Sequence, residues 1–160
     1  MALGLWQTVF KGVGMQKAVV LDIEASGLEE GSFPIEIAWI GVNHDEFDTF
    51  FIKPERHWTH WDEQAESIHG LSRSLITRTG ISCEKAVSRL DANIVNLDVY
   101  SDAPEWDGYW LDLLYSVVEK KRTWTLKKLN LNYTELKYES MPHRALADAE
   151  RLSRFFTESV

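Results

Sequence analysis

The sequence predicts one α/β domain in which a mixed β-sheet carries packed helices. Three observations lead there. A β-branched run is followed by two alternating apolar segments across short turns, the pattern of an antiparallel start. The periodicity then changes from about two to about 3.6 residues. A further strand-like run lies between helical segments, as it does when strands and helices alternate.

Lys17–Ile23 (KAVVLDI) reads as the first, buried strand. The turn Ala-Ser-Gly-Leu-Glu-Glu-Gly follows. Pro34–Val42 (PIEIAWIGV) alternates as a second strand and Glu46–Ile52 (EFDTFFI) as a third, with Asn43, His44 and Asp45 as the hairpin turn. Asp62–His69 and Ser82–Asp91 read as helices, with Gly70 and Gly80 as breaks. Ile94–Tyr100 is the fourth strand, Pro104–Glu119 a long helix and His143–Glu158 the closing one. Residues 1–14 carry a single charge, Lys11, near their end, which is not the order of a secretory signal. They read as a leader or a short extra strand, and residues 15–160 as the single domain.

Composition narrows the function. The 160 residues are 44% hydrophobic and 26% charged, ordinary for a soluble chain with a real core. No run approaches the roughly 18 apolar residues of a membrane helix, so no membrane role is expected. A single cysteine, Cys83, excludes an intrachain disulfide and a cysteine-rich zinc site, and fits a cytoplasmic location. Acids outnumber bases 25 to 17, a net charge of -8, which is unlike a protein that grips long nucleic acid along a basic face. A nucleic-acid ligand should therefore be short, or held mainly at one metal-filled site; plain solubility explains the same charge.

The chemistry gathers in three places. Asp22 and Glu24 are two apart on the first strand, so both project from one face. Packed anions repel, and an apolar sheet desolvates them, so a divalent cation is the simplest compensation; a solvated strand end is the plain alternative. Asp107 precedes Trp110, Leu111 and Leu114 by three, four and seven residues, on the core-facing stripe of its helix. Its rivals are Asp112, on the opposite side, and Asp102, in a loop; a simple helix-dipole role for Asp107 is the alternative. Asp148 shares the stripe of Ala145, Leu146, Ala149, Leu152, Phe155 and Phe156. His143, five residues earlier, should sit about 7.5 Å along the same helix, at its lip, as a proton acceptor. Four carboxylates are hard ligands that suit Mg²⁺ or Mn²⁺, the ions of two-metal phosphoryl displacement.

These residues, in this order, resemble the DEDDh branch of the DnaQ-like 3′→5′ exonucleases. The family's Asp-x-Glu motif resembles LDIEASGL at Leu21–Leu28, and its aromatic-Asp motif resembles YSDAPEWDGYWL at Tyr100–Leu111. Its His-x4-Asp motif resembles HRALADAE at His143–Glu150, and an Ile-His-Gly signature resembles SIHGLS at Ser67–Ser72. The likeness spans Lys17 to Phe156. It implies a ribonuclease H-like fold with a mixed five-stranded sheet flanked by helices. It also implies hydrolysis from the 3′ ends of single-stranded DNA or RNA with two Mg²⁺ or Mn²⁺ ions. In that scheme Asp22, Glu24 and Asp148 hold one metal, Asp22 with the phosphate holds the other, Asp107 acts through water, and His143 is the base. Ala25, Ser26, Gly27, Leu28, His69 and Trp106 stand at positions implied to meet the substrate, with Leu28 as a wedge against the terminal base.

The sequence departs from the family pattern in three ways. Ala25 replaces a frequent threonine, with Ser26 a partial substitute; Asp102-Ala103 stands where His-Asn is common; and the interval from Asp107 to His143 is short. A homodimer, or a polymerase or repair partner, is the assembly that relatives suggest.

Other signals are read more plainly. Trp39, Trp106 and Trp110 have core patterning, whereas Trp58 and Trp61 could stack on bases, with packing favoured. His44, His57 and His60 are irregularly spaced for a second metal site, and His69 also suits a structural turn. Lys120, Lys121, Arg122, Lys127 and Lys128 form the basic cluster, read as a solvated helix end ahead of a phosphate track. Two rival functions remain: an idle binding module of the same fold, and a metal-dependent phosphodiesterase acting on a small molecule.

Overall fold

The computed structural model describes residues 17–130 and 143–154. Residues 1–14, Phe155 and Phe156 lie outside these, as do the expectations placed on them. The described chain forms strands β1 (Ala18–Ala25), β2 (Pro34–Gly41), β3 (Phe47–Phe51), β4 (Asp98–Ser101) and β5 (Leu126–Lys128). Its helices are α1 (Glu63–His69), α2 (Arg73–Thr79), α3 (Cys83–Ile94), α4 (Pro104–Val117) and α5 (Ala145–Ser153). The strands make one sheet in the order β3-β2-β1-β4-β5. β1 is antiparallel to β2 and parallel to β4, so the sheet is mixed, as the sequence predicts.

Alternation along β1 sorts its side chains. Val19, Leu21 and Ile23 join the larger core, with Val87, Leu90 and Ile94 of α3 and Trp110, Leu111 and Leu114 of α4. Val20 points the other way and packs with Ala149 and Leu152 of α5. Asp22 and Glu24 continue the line of Val20, so they face α5. The sheet thus delivers two acids to the face that, among the described residues, α5 covers.

Several boundaries differ from expectation. The segment between the breaks Gly70 and Gly80, to which the sequence assigned no element, forms helix α2, capped by the Ser72 hydroxyl on Leu75 N. Ile94 belongs to α3, where it is fully buried, and the fourth strand begins only at Asp98. An apolar run cannot say on which element it will be buried. Lys127 and Lys128 lie on edge strand β5 rather than at a helix end, and Lys127 pairs with Asp98 at 2.7 Å. A charged edge strand resists further pairing. Trp58 is buried and stacks on Phe33 at 5.1 Å, so it is core rather than a base platform.

Candidate active site

The first acidic pair is held by β1. Asp22 and Glu24 stand opposite Ala38 and Glu36 of β2, and the register shifts just after Glu24. The chain then turns through Ser26 and Gly27. Gly27 has φ +157°, and a Cβ there would lie 2.5 Å from His60 Cε1 and 3.0 Å from Asp62 Cβ, so a larger residue would displace the His60 ring. Ser26 is only 1% exposed, and its hydroxyl accepts from Phe33 N at 3.1 Å and meets His60 Nδ1 at 3.1 Å. Its hydroxyl therefore supports the turn. His60 is the unforeseen partner here, and Ala25 is likewise buried. Leu28 is 64% exposed and free to meet a ligand.

Asp107 enters from the first turn of α4, just past the end of β4. It is buried, and it accepts a hydrogen bond from Ser101 Oγ, whose position is set by β4. The rival Asp112 is solvent-facing and pairs with Arg122 at 3.0 Å. Asp102 lies nearer the site, where burial raises its pKa. Trp106, beside Asp107, is 40% exposed and not the core residue its patterning suggested. It stacks on Trp110 at 5.6 Å and, with Tyr109, Glu29, Glu30 and Glu105, lines a surface cavity of 380 Å³.

The last piece departs most from expectation. His143 is not on a helix: Arg144 is the extended N-cap of α5, with φ -141° and ψ 131°. The bend returns His143 toward Asp148, and Nδ1 lies 3.3 Å from Asp148 Oδ2 instead of about 7.5 Å up a helical axis. His143 N also donates to Ile68 O at 3.2 Å, which ties this segment to α1. His69, next in α1, is buried, and its Nδ1 accepts from Leu71 N at 3.0 Å. That contact stabilises the turn, and burial lowers the pKa of His69.

Together these elements bring Asp22, Glu24 and Asp148 to one place, with a ligand oxygen from each within 4.8 Å of the others. Asp107 stands just outside that group but acts on Asp22 through its charge. The electrostatics of the site suit a bound cation. Burial first, then Asp107, Glu24 and Asp148, raise Asp22 well above the usual carboxylate range. Burial, then Asp148 and Glu36, raise Glu24 to about 8. Burial raises Asp107 to about 7 against the opposing Ser101 hydrogen bond. Three oxygen donors within one ion's reach, two of them, Asp22 and Glu24, raised by burial, are a donor set that fits a divalent cation.

Two residues that shape the site were not singled out from the sequence. Glu36 is 2% exposed and accepts from Arg144 Nε at 3.0 Å, Arg144 Nη2 at 2.7 Å and Ala145 N at 3.1 Å. It anchors the start of α5 to β2, and with it the segment that carries His143. An acid inside the otherwise apolar PIEIAWIG was the available signal.

No protein-family model and no curated protein matches this sequence. Solved structures do. Exonuclease I from Methylocaldum szegediense aligns at TM-score 0.69 and 17% identity over 88% of this chain and 40% of that one. An apo exonuclease I aligns at TM-score 0.72 and 13% identity over 88% and 41%. E. coli exonuclease I bound to a dT13 oligonucleotide aligns at 0.59 and 14% over 68% and 25%. The chain thus spans a quarter to two fifths of the length of these structures. The order of its sheet and its flanking helices give it the ribonuclease H-like fold that those exonucleases share.

Proposed function

We propose that this protein is a metal-dependent exonuclease that removes nucleotides from the 3′ end of short or single-stranded nucleic acid. The observation that carries this reading is the convergence of Asp22, Glu24 and Asp148 within 4.8 Å, with His143 held beside Asp148. Asp22, Glu24 and Asp148 would hold the cation, and their all-oxygen character favours Mg²⁺ or Mn²⁺. Two such ions supply a more acidic water and charge stabilisation at the departing 3′ oxygen. Asp107, hydrogen-bonded by Ser101, adds its charge to the same centre and would act there through water. His143 presents Nδ1 to Asp148, which favours the tautomer whose Nε2 accepts the proton of the attacking water. Leu28 and Trp106 are exposed apolar groups within the motifs and suit a terminal base.

The single-stranded oligonucleotide bound to the E. coli exonuclease I structure supports a single-stranded substrate. The net charge of -8 and the three glutamates around the Trp106 cavity favour short substrates over long ones. They also keep the small-molecule phosphodiesterase as the second reading. Incubation with Mn²⁺ and oligonucleotides labelled at either end separates the two. Immediate release of 3′ label, with a shortening ladder from the 5′-labelled strand, is expected. Turnover of only a generic phosphodiester would give the second reading the case, and neither would leave an idle binding module.

A further inference from the structure

We propose that Arg151 is an internal counter-cation of the site, which steadies Asp148 while holding down that carboxylate's affinity for a divalent ion. This rests on the metal-binding reading above. Arg151 lies one turn beyond Asp148 on α5, and its Nη2 donates to Asp148 Oδ1 at 2.7 Å. His143 Nδ1 faces the other oxygen, so both oxygens of Asp148 have a partner within the protein. Arg151 Nε is buried and meets no acceptor among the described residues, while the side chain as a whole is 38% exposed.

The neighbouring arginines differ. Arg144 is matched in charge by Glu36, and Arg154 by Glu150 at 3.0 Å. Arg151 instead places its charge on a proposed metal ligand itself, and that charge also acts on Asp102. A divalent ion held by Asp22, Glu24 and Asp148 would share the Asp148 carboxylate with a guanidinium. Like charges at such short range, in a partly buried site, repel strongly enough to change affinity by an order of magnitude.

The sign of the effect separates this role from mere support. If Arg151 only propped Asp148, its loss would weaken metal binding; as a counter-cation, its loss strengthens it. Mn²⁺ titration of the intact chain by calorimetry, with circular dichroism to verify folding, reads that sign. Arg151→Met should bind Mn²⁺ about tenfold more tightly, whereas Arg151→Lys, which keeps the charge, should stay near wild type. Should Arg151→Met not fold, Arg151→Gln carries the same expectation. Equal or weaker binding in a folded neutral variant overturns the proposal and leaves the proposed function standing. Wild-type heats no larger than those of Asp22→Asn would remove the metal site, and this proposal with it.

Discussion

Glu24 and Glu36 face each other across neighbouring antiparallel strands, yet they live in opposite electrostatic circumstances. Glu36 receives two bonds from Arg144 and one from the Ala145 amide, so its buried charge is answered within the fold. Glu24 has no such clamp, and burial with its acidic neighbours raises it to about 8. Two glutamates at one register position thus divide into a compensated member and an uncompensated one. A compensated buried acid holds elements together, whereas an uncompensated one beside others calls for a ligand. Arg144 serves both, since it neutralises Glu36 and also lowers the cost of ionising Glu24.

The largest expected effect comes from breaking the uncompensated side. Asp22→Asn should lower nuclease turnover by at least about 10²-fold, the scale of losing one preorganised charge at a reaction centre. His143→Ala should cost at least about 10² as well, the usual weight of a general base. Both variants should fold, because one relieves buried repulsion and the other sits on an exposed segment. Single-turnover rates on a 3′-labelled oligonucleotide provide the check, and a wild-type rate in either variant would unseat that residue.

Breaking the compensated side should instead act on stability. Arg144→Met strands a buried carboxylate. A fully buried pair would lose about 3–5 kcal/mol; because the Arg144 side chain is 42% exposed, about 2 kcal/mol is expected. Replacing both partners, as Glu36→Met with Arg144→Met, should recover most of that loss in urea melts. Failure to recover would mean that the clamp matters for more than charge balance.

The smallest effect sharpens the contrast through pH. Glu24 and Asp107 have folded pKa values of about 8 and 7, above their ordinary values of 4.5 and 3.8. Between those limits the folded protein binds more protons than the unfolded chain, so stability falls as pH rises. The metal-free melting temperature should therefore be higher at pH 5 than at pH 8. Added Mn²⁺ should offset the drop at pH 8, because an ion that binds only the folded state stabilises it. A flat melting profile in chelator would show that the acids are better solvated than their burial implies.

The first half of the sheet was legible because β-strand alternation is local: KAVVLDIE shows which of its residues share a face without reference to any other segment. The same logic placed Asp107 on the buried stripe of α4, and the order of the motifs suggested the ribonuclease H-like fold. Elements without a strong period were harder to read. Helix α2 is seven residues long, and β5 only three, so each depends on its neighbours more than on its own pattern.

By itself, the sequence determined the faces: which acids lie together on β1, which helical residues are apolar, and that hard oxygen ligands outnumber soft ones. Only the tertiary structure decided the partners. It bent the chain at Arg144 so that His143 meets Asp148, gave Glu36 its clamp, drew Ser26 and His60 into one turn, and left Trp106 at the surface. The reason is that periodicity fixes direction along one element, while ionisation cost, hydrogen-bond satisfaction and exposure depend on what other elements bring to the same few ångströms.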